Sequence, residues 1–175
     1  MPKEYLPLKV DPFRFADNAT RLHGSLLIKN MERLCPSLVA DSGNAEIDIQ
    51  FGVDGHGIRF LRGALTAHLA LQCQRCMEAF DYEITSDFLL GIIQTEEEAT
   101  DLSKTYDPLI VKGNDLFIQD VIEDELIISL PIVPMHALKD YKVMLPLAAE
   151  SNTAADEEKE NPFKVIKLLR AKRDK

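Results

Sequence analysis

Two thiols three positions apart are the most chemically loaded feature of the chain. Cys73-Gln74-Arg75-Cys76 supplies two soft donors from a single turn, half of what a tetrahedral zinc site needs. Cys73 and Cys76 are therefore the candidate metal ligands, with zinc as the ion they would take and a metal-free structural turn as the competing reading. Redox use is a third reading, but redox C-x-x-C motifs sit at helix N-termini, where the dipole lowers the thiol pKa. Here the flanking residues read as strands. The nearest histidine before the turn is His68 and the nearest after it is His136, and Cys35 is the only other thiol. No second C-x-x-C and no H-x-x-x-H is present. Glu125 with His136 forms an acid–base pair, but no nucleophile accompanies it. G-x-S-x-G, P-loop and G-x-G-x-x-G patterns are absent from the sequence. The expectation is a protein that is not an enzyme.

The thiols must be held by a hairpin. Leu65, Ala67, Leu69 and Leu71 alternate with Thr66, His68, Ala70 and Gln72, and Phe80, Tyr82 and Ile84 resume the alternation beyond the turn. This is the period of a half-buried strand. Upstream, Ala45, Ile47, Ile49, Phe51 and Val53 alternate with Glu46, Asp48, Gln50 and Gly52. Asp54-Gly55 reads as a hairpin turn pair with positive φ, and His56 beside it as an exposed bystander rather than a ligand. The result is an antiparallel meander of residues 45–53, 58–71 and 80–93. Its edges need covering by residues 5–10, 23–28 or 109–111. Asp11-Pro12 ends the first of these. Residues 30–38, with Met31, Leu34 and Leu38 at helical spacing, suggest one or two helical turns, with Cys35 a small buried apolar residue. Residues 94–105 carry Glu96, Glu97, Glu98 and Asp101 and read as a solvated loop or as a docking site for a basic partner.

Residues 114–130 form the main helix, capped by Asn114 or Asp115. At about 100° per residue from Phe117, the stripe of Ile128, Val121, Ile118 and Ile122 spans roughly 0–140° and contains Glu125 near 80°. A buried carboxylate needs a partner. Arg75 and His136 are the candidates, the alternative being a rotation or kink that lets Glu125 reach water. Pro131 and Pro134 stop the helix. The fold class is α+β: an antiparallel sheet or partial barrel with one main packed helix in residues 1–147. A flexible acidic linker follows in 148–160, then a basic amphipathic helix in 161–175. In that helix Asn161 caps, Pro162 takes the first position, and Phe163, Ile166 and Leu169 share a face. Lys164, Lys167, Arg170, Lys172 and Arg173 fill the rest.

The net charge of −9 is unevenly spread. Lys164, Lys167, Arg170, Lys172, Arg173 and Lys175 against Asp174 give +5 for residues 163–175, leaving −14 for the remainder. An acidic body disfavours phosphate contact over its whole surface. The apolar face of residues 161–175 could equally dock on the protein's own sheet. Three cysteines, no signal-peptide pattern and no apolar run long enough to span a membrane point to a soluble cytoplasmic protein.

Taken together, Cys73-Gln74-Arg75-Cys76, Tyr106-Asp107-Pro108, Glu123-Asp124-Glu125 through Leu130-Pro131 and Pro134 to His136, and Asn161-Pro162-Phe163 resemble the YceD family. These are the large ribosomal RNA subunit accumulation proteins. The resemblance runs from Leu6 almost to the last residue. It implies a bacterial cytoplasmic ribosome-biogenesis factor supporting 23S rRNA accumulation without an established catalytic activity. Its expected partners are the precursor large subunit, 23S rRNA or a basic large-subunit ribosomal protein. The alternative is a zinc- or thiol-dependent protein acting through Cys73 and Cys76. In some relatives a cysteine stands where this chain has Tyr141, so a four-thiolate site is excluded here.

Overall fold

A computed structural model describes residues 6–137 of the chain. The expected linker, the expected basic helix and all their named residues from Asn161 to Arg173, together with Tyr141, lie outside the described residues. Within 6–137, period-two alternation dictates the architecture. Strands β2 (Arg21–Leu27), β3 (Asn44–Val53), β4 (Arg59–Gln72), β5 (Ala79–Ile93) and β6 (Asp107–Ile110) form one sheet in the order β2-β3-β4-β5-β6. β1 (Lys9–Val10) and β7 (Leu116–Phe117) pair separately. Among the described residues three α-helices accompany the strands: α1 (Pro12–Asp17), α2 (Glu96–Asp101) and α3 (Ile118–Ser129).

The expected meander is present, with Ile47 opposite Leu65 and Leu71 opposite Phe80. Ile47, Ile49, Phe51, Leu61, Leu65, Leu69, Ile84 and Leu90 point to one face and are buried there. Ile118, Val121, Ile122 and Leu126 of α3 join the same core. Each such side chain withdrawn from water contributes about 2 kcal/mol. The sheet is α+β and open rather than a partial barrel, with β2 and β6 at its edges. One pairing departs from the antiparallel expectation: β6 runs parallel to β5. The connection through α2 is long enough for the crossover that a parallel pair requires. Pro108 lies in this edge strand, where a missing N–H is tolerated.

Several local expectations change. Asp11-Pro12 ends β1 at Val10 as expected and in addition opens a helix: the Asp11 side chain accepts from the N–H groups of Phe13 and Arg14 at 3.1 Å, and Pro12 takes the first helical position. The turn after β3 places its positive φ at Gly57, not at Asp54-Gly55. Asp54 accepts from the N–H groups of His56 and Ile58 at 2.9 and 2.8 Å, which widens the turn; His56 itself is exposed. In place of an α-helix over residues 30–38, the chain makes two 3₁₀ turns, Ile28–Asn30 leading into it and Cys35–Ser37 within it. Cys35 is only partly buried, its Sγ 3.4 Å from the Ile28 carbonyl. The acidic stretch is helical at α2, and Glu98 accepts from the Gln94 N–H and the Thr95 hydroxyl, both at 3.2 Å, tying the helix to the residues that enter it.

The main helix begins at Ile118, four residues later than expected. Leu116 and Phe117 are drawn into β7 by pairing with Val10 and Lys9, and the Lys9 ammonium lies 2.7 Å from the Asp115 carboxylate. Phe117 is therefore a strand residue and half exposed, and Ile128 is 77% exposed. The buried face is rotated away from both, toward Leu126.

Candidate functional site

The β4–β5 hairpin delivers the thiol turn. Gln72 opposite Ala79 is its last pair. Beyond it the Cys73 N–H donates to the Glu78 carbonyl at 2.9 Å, and the Met77 N–H to the Cys73 carbonyl at 2.8 Å. Met77 takes a left-handed φ of 64° to close the loop. A non-glycine residue adopts that conformation only under external constraint. Cys73 is fully buried, Cys76 half-buried, and both are free thiols.

The proline-rich exit from α3 returns to this turn. Leu130 already has extended backbone, as the residue before Pro131 must. Pro134 then places its carbonyl 2.9 Å from the Gln74 N–H. Arg75 donates from Nη2 to the His136 carbonyl at 3.0 Å. The His136 ring lies 5.6 Å from the Phe80 ring, with both ring nitrogens 3.9 Å from Cys76 Sγ. The donor atoms of Cys73, Cys76 and His136 all lie within 4.8 Å of one another. Burial pushes the Cys73 thiol up. The backbone N–H groups of Cys76, Arg75 and His136, with the Cys76 side chain, outweigh that and bring it down to about 6.

His68 does not join this group. Its Nδ1 lies 2.9 Å from Asp81 Oδ2 on the exposed side of the hairpin, and that carboxylate raises the imidazole pKa. Nor does Glu125. Among the described residues it makes no hydrogen bond or ion pair with Arg75 or His136. It sits half-buried at the margin of the helix face. Burial, then Asp107 and Asp124, raise its carboxyl above the ordinary range.

The buried carboxylate of α3 is Glu123, 3% exposed. Its Oε1 accepts from the Arg33 and Leu34 N–H groups at 2.6 and 3.0 Å, and its Oε2 lies 3.1 Å from the Arg33 guanidinium. Arg33 also pairs with Asp124 and donates to the Asp120 carbonyl. This arrangement ties the 3₁₀ segment to the helix. Sequence reasoning missed it because Glu123 lies outside the arc measured from Phe117. Including Leu126 extends the apolar stripe to about 180°, still about 60° short of Glu123. A second unforeseen tie joins Tyr106 to the turn after β3: its hydroxyl donates to Asp54 Oδ2 at 2.9 Å, and its ring packs beside Phe60.

The thiol turn, Tyr106, the carboxylate run and the proline-rich exit thus all belong to the second half of the sheet and its helix. A family model described as "Large ribosomal RNA subunit accumulation protein YceD" matches residues 61–170, more than half of the chain. The chain belongs to the YceD family. A relative from Haemophilus influenzae, itself named Large ribosomal RNA subunit accumulation protein YceD, is 29% identical over 174 residues. That match covers 98% of this chain and 100% of the relative. No solved structure matches. The matched YceD stretch takes in β5, α3 and every donor of the thiol cluster, while Arg33 precedes it. No helix among the described residues is long and apolar enough to cross a membrane.

Proposed function

We propose that this protein is a non-catalytic cytoplasmic factor supporting the accumulation of large-subunit ribosomal RNA. It would do so by binding the precursor large subunit through 23S rRNA or a basic ribosomal protein. The observation that carries this reading is its membership of the YceD family, with a relative of that name aligned over nearly its whole length. The charge distribution supplies a physical division of labour. Residues 163–175 carry +5 and can neutralise phosphates, whereas the remaining −14 favours a basic polypeptide over RNA. The functional ligands are then Lys164, Lys167, Arg170, Lys172 and Arg173, with Asn161, Pro162 and Phe163 setting their presentation.

Cosedimentation with precursor large subunits tests this. The full chain is expected to travel with the precursor, and a chain lacking residues 161–175 to be largely lost from it. Equal cosedimentation of the two would eliminate the basic segment as the contact. Absence of the full chain from precursor fractions would eliminate the binding role.

A further inference from the structure

We propose that Cys73, Cys76 and His136 bind one zinc ion, which fastens the segment following α3 to the tip of the β4–β5 hairpin. Three lines of geometry converge on this. First, the donor set is two sulfurs and an imidazole, the softness that zinc selects. Second, the donors are already gathered. Tetrahedral zinc with the usual bond lengths separates sulfur from nitrogen by about 3.6 Å and sulfur from sulfur by about 3.8 Å. Cys76 Sγ stands 3.9 Å from either nitrogen of His136, and all three donor atoms fall within 4.8 Å. These separations exceed the tetrahedral values by at most about 1 Å.

Third, the surroundings fit metal-bound sulfur. The left-handed Met77 and the bonds Met77 N–H to Cys73 carbonyl and Cys73 N–H to Glu78 carbonyl curl the turn around its own thiols. A plain structural turn has no need of a converging imidazole. The imidazole is brought there deliberately: the Gln74–Pro134 and Arg75–His136 hydrogen bonds dock its backbone from both sides. Among the described residues no fourth donor joins the group.

The consequence is mechanical. Zinc joins residues sixty apart in sequence and fixes where the chain leaves the core after α3. This goes beyond the ribosomal role and stands or falls separately from it.

The experiment uses full-length protein made without a histidine tag, loaded with zinc and dialysed against a weak chelator. One zinc per chain is expected by elemental analysis. Cobalt substituted for zinc should show a thiolate-to-metal charge-transfer band and the visible bands of a tetrahedral ion. Cys76→Ser should abolish the charge-transfer intensity contributed by its sulfur and the stoichiometric binding. His136→Ala should weaken zinc by more than about 100-fold in chelator competition, beyond what losing an outer-shell partner costs. Cys35→Ser and His68→Ala, checked for folding by circular dichroism, should bind like the parent. A metal-free parent overturns the proposal, as does cobalt binding without thiolate charge transfer. Undiminished affinity in a folded His136→Ala protein overturns the three-donor site.

Discussion

Glu123 is a carboxylate in the core because two backbone donors are there to meet it. The Cys35 N–H closes a single helical turn on the Met31 carbonyl at 3.0 Å, so the Arg33 and Leu34 N–H groups within that turn need an outside acceptor. Glu123 Oε1 serves both. The Arg33 side chain is half exposed, so its guanidinium can turn to water if the carboxylate is lost; the buried Leu34 N–H cannot. Glu123→Ala should therefore destabilise by about 2 kcal/mol in urea unfolding, most of it from the orphaned donors. Glu123→Gln keeps one acceptor oxygen and should cost about half as much. Equal losses for the two variants would mean that charge, not acceptance, matters at this position. Glu125 behaves oppositely. Burial, then Asp107 and Asp124, raise its folded-state pKa. A group raised on folding contributes stability that is complete below its unfolded pKa of about 4.3 and lost as pH rises through the folded value. Glu125→Gln removes that loss. The variant should have a higher urea midpoint than the parent near neutral pH, and the gap should close as pH falls toward about 4. A pH-independent difference would rule out the ionisation of Glu125 as its cause.

At the scale of elements, the long strands form because alternation leaves one complete apolar face, and their close packing depends on particular small residues. Gly63 lies directly opposite Phe88 across β4 and β5. A Cβ at Gly63 would stand 2.0 Å from the Phe88 ring, so the aromatic crosses the neighbouring strand only because that strand has no side chain there. Gly63→Ala must displace Phe88 from the core and should cost about 1–3 kcal/mol in thermal or urea unfolding. Partial rescue is expected from Gly63→Ala with Phe88→Leu, which frees the space. The meander β3–β4–β5 was legible from sequence because a one-residue slip would expose its whole core face. The four-residue β6 was foreseen as an edge cover, but too short a run carries no sign of its direction. Asp11-Pro12 held a legible helix start that a strand-ending reading obscured. The helix α3 was recognised, but its rotation was not, because Phe117 looks helical by spacing and is claimed by β1 through tertiary pairing. The thiol turn was likewise visible as a motif, and Arg75 and His136 as residues of interest. Their meeting was not, since nothing in local spacing links a hairpin tip to a segment sixty residues on.

For the whole molecule, the separation of charge should be readable as a salt dependence. Release of counterions from single-stranded RNA makes log K fall with log salt by about 0.7 per neutralised phosphate, and by about 0.9 on duplex. Five cations, Lys164, Lys167, Arg170, Lys172 and Arg173, can therefore supply a slope of about −4 when all are engaged. Replacing all five with Gln in the full chain keeps the length and the apolar positions Phe163, Ile166 and Leu169. It should flatten the slope for precursor-subunit binding by about that amount. An acidic body meeting a basic ribosomal protein also weakens with salt, but that component survives the substitution, because none of its charges has been altered. A steep slope in the parent, a shallow residual one in the variant, and convergence of the two affinities at high salt would separate the RNA contact from the protein contact. Parallel slopes, with the variant weaker by a constant factor, would place the basic residues in a short-range packing role. Identical curves would assign recognition to the sheet domain alone.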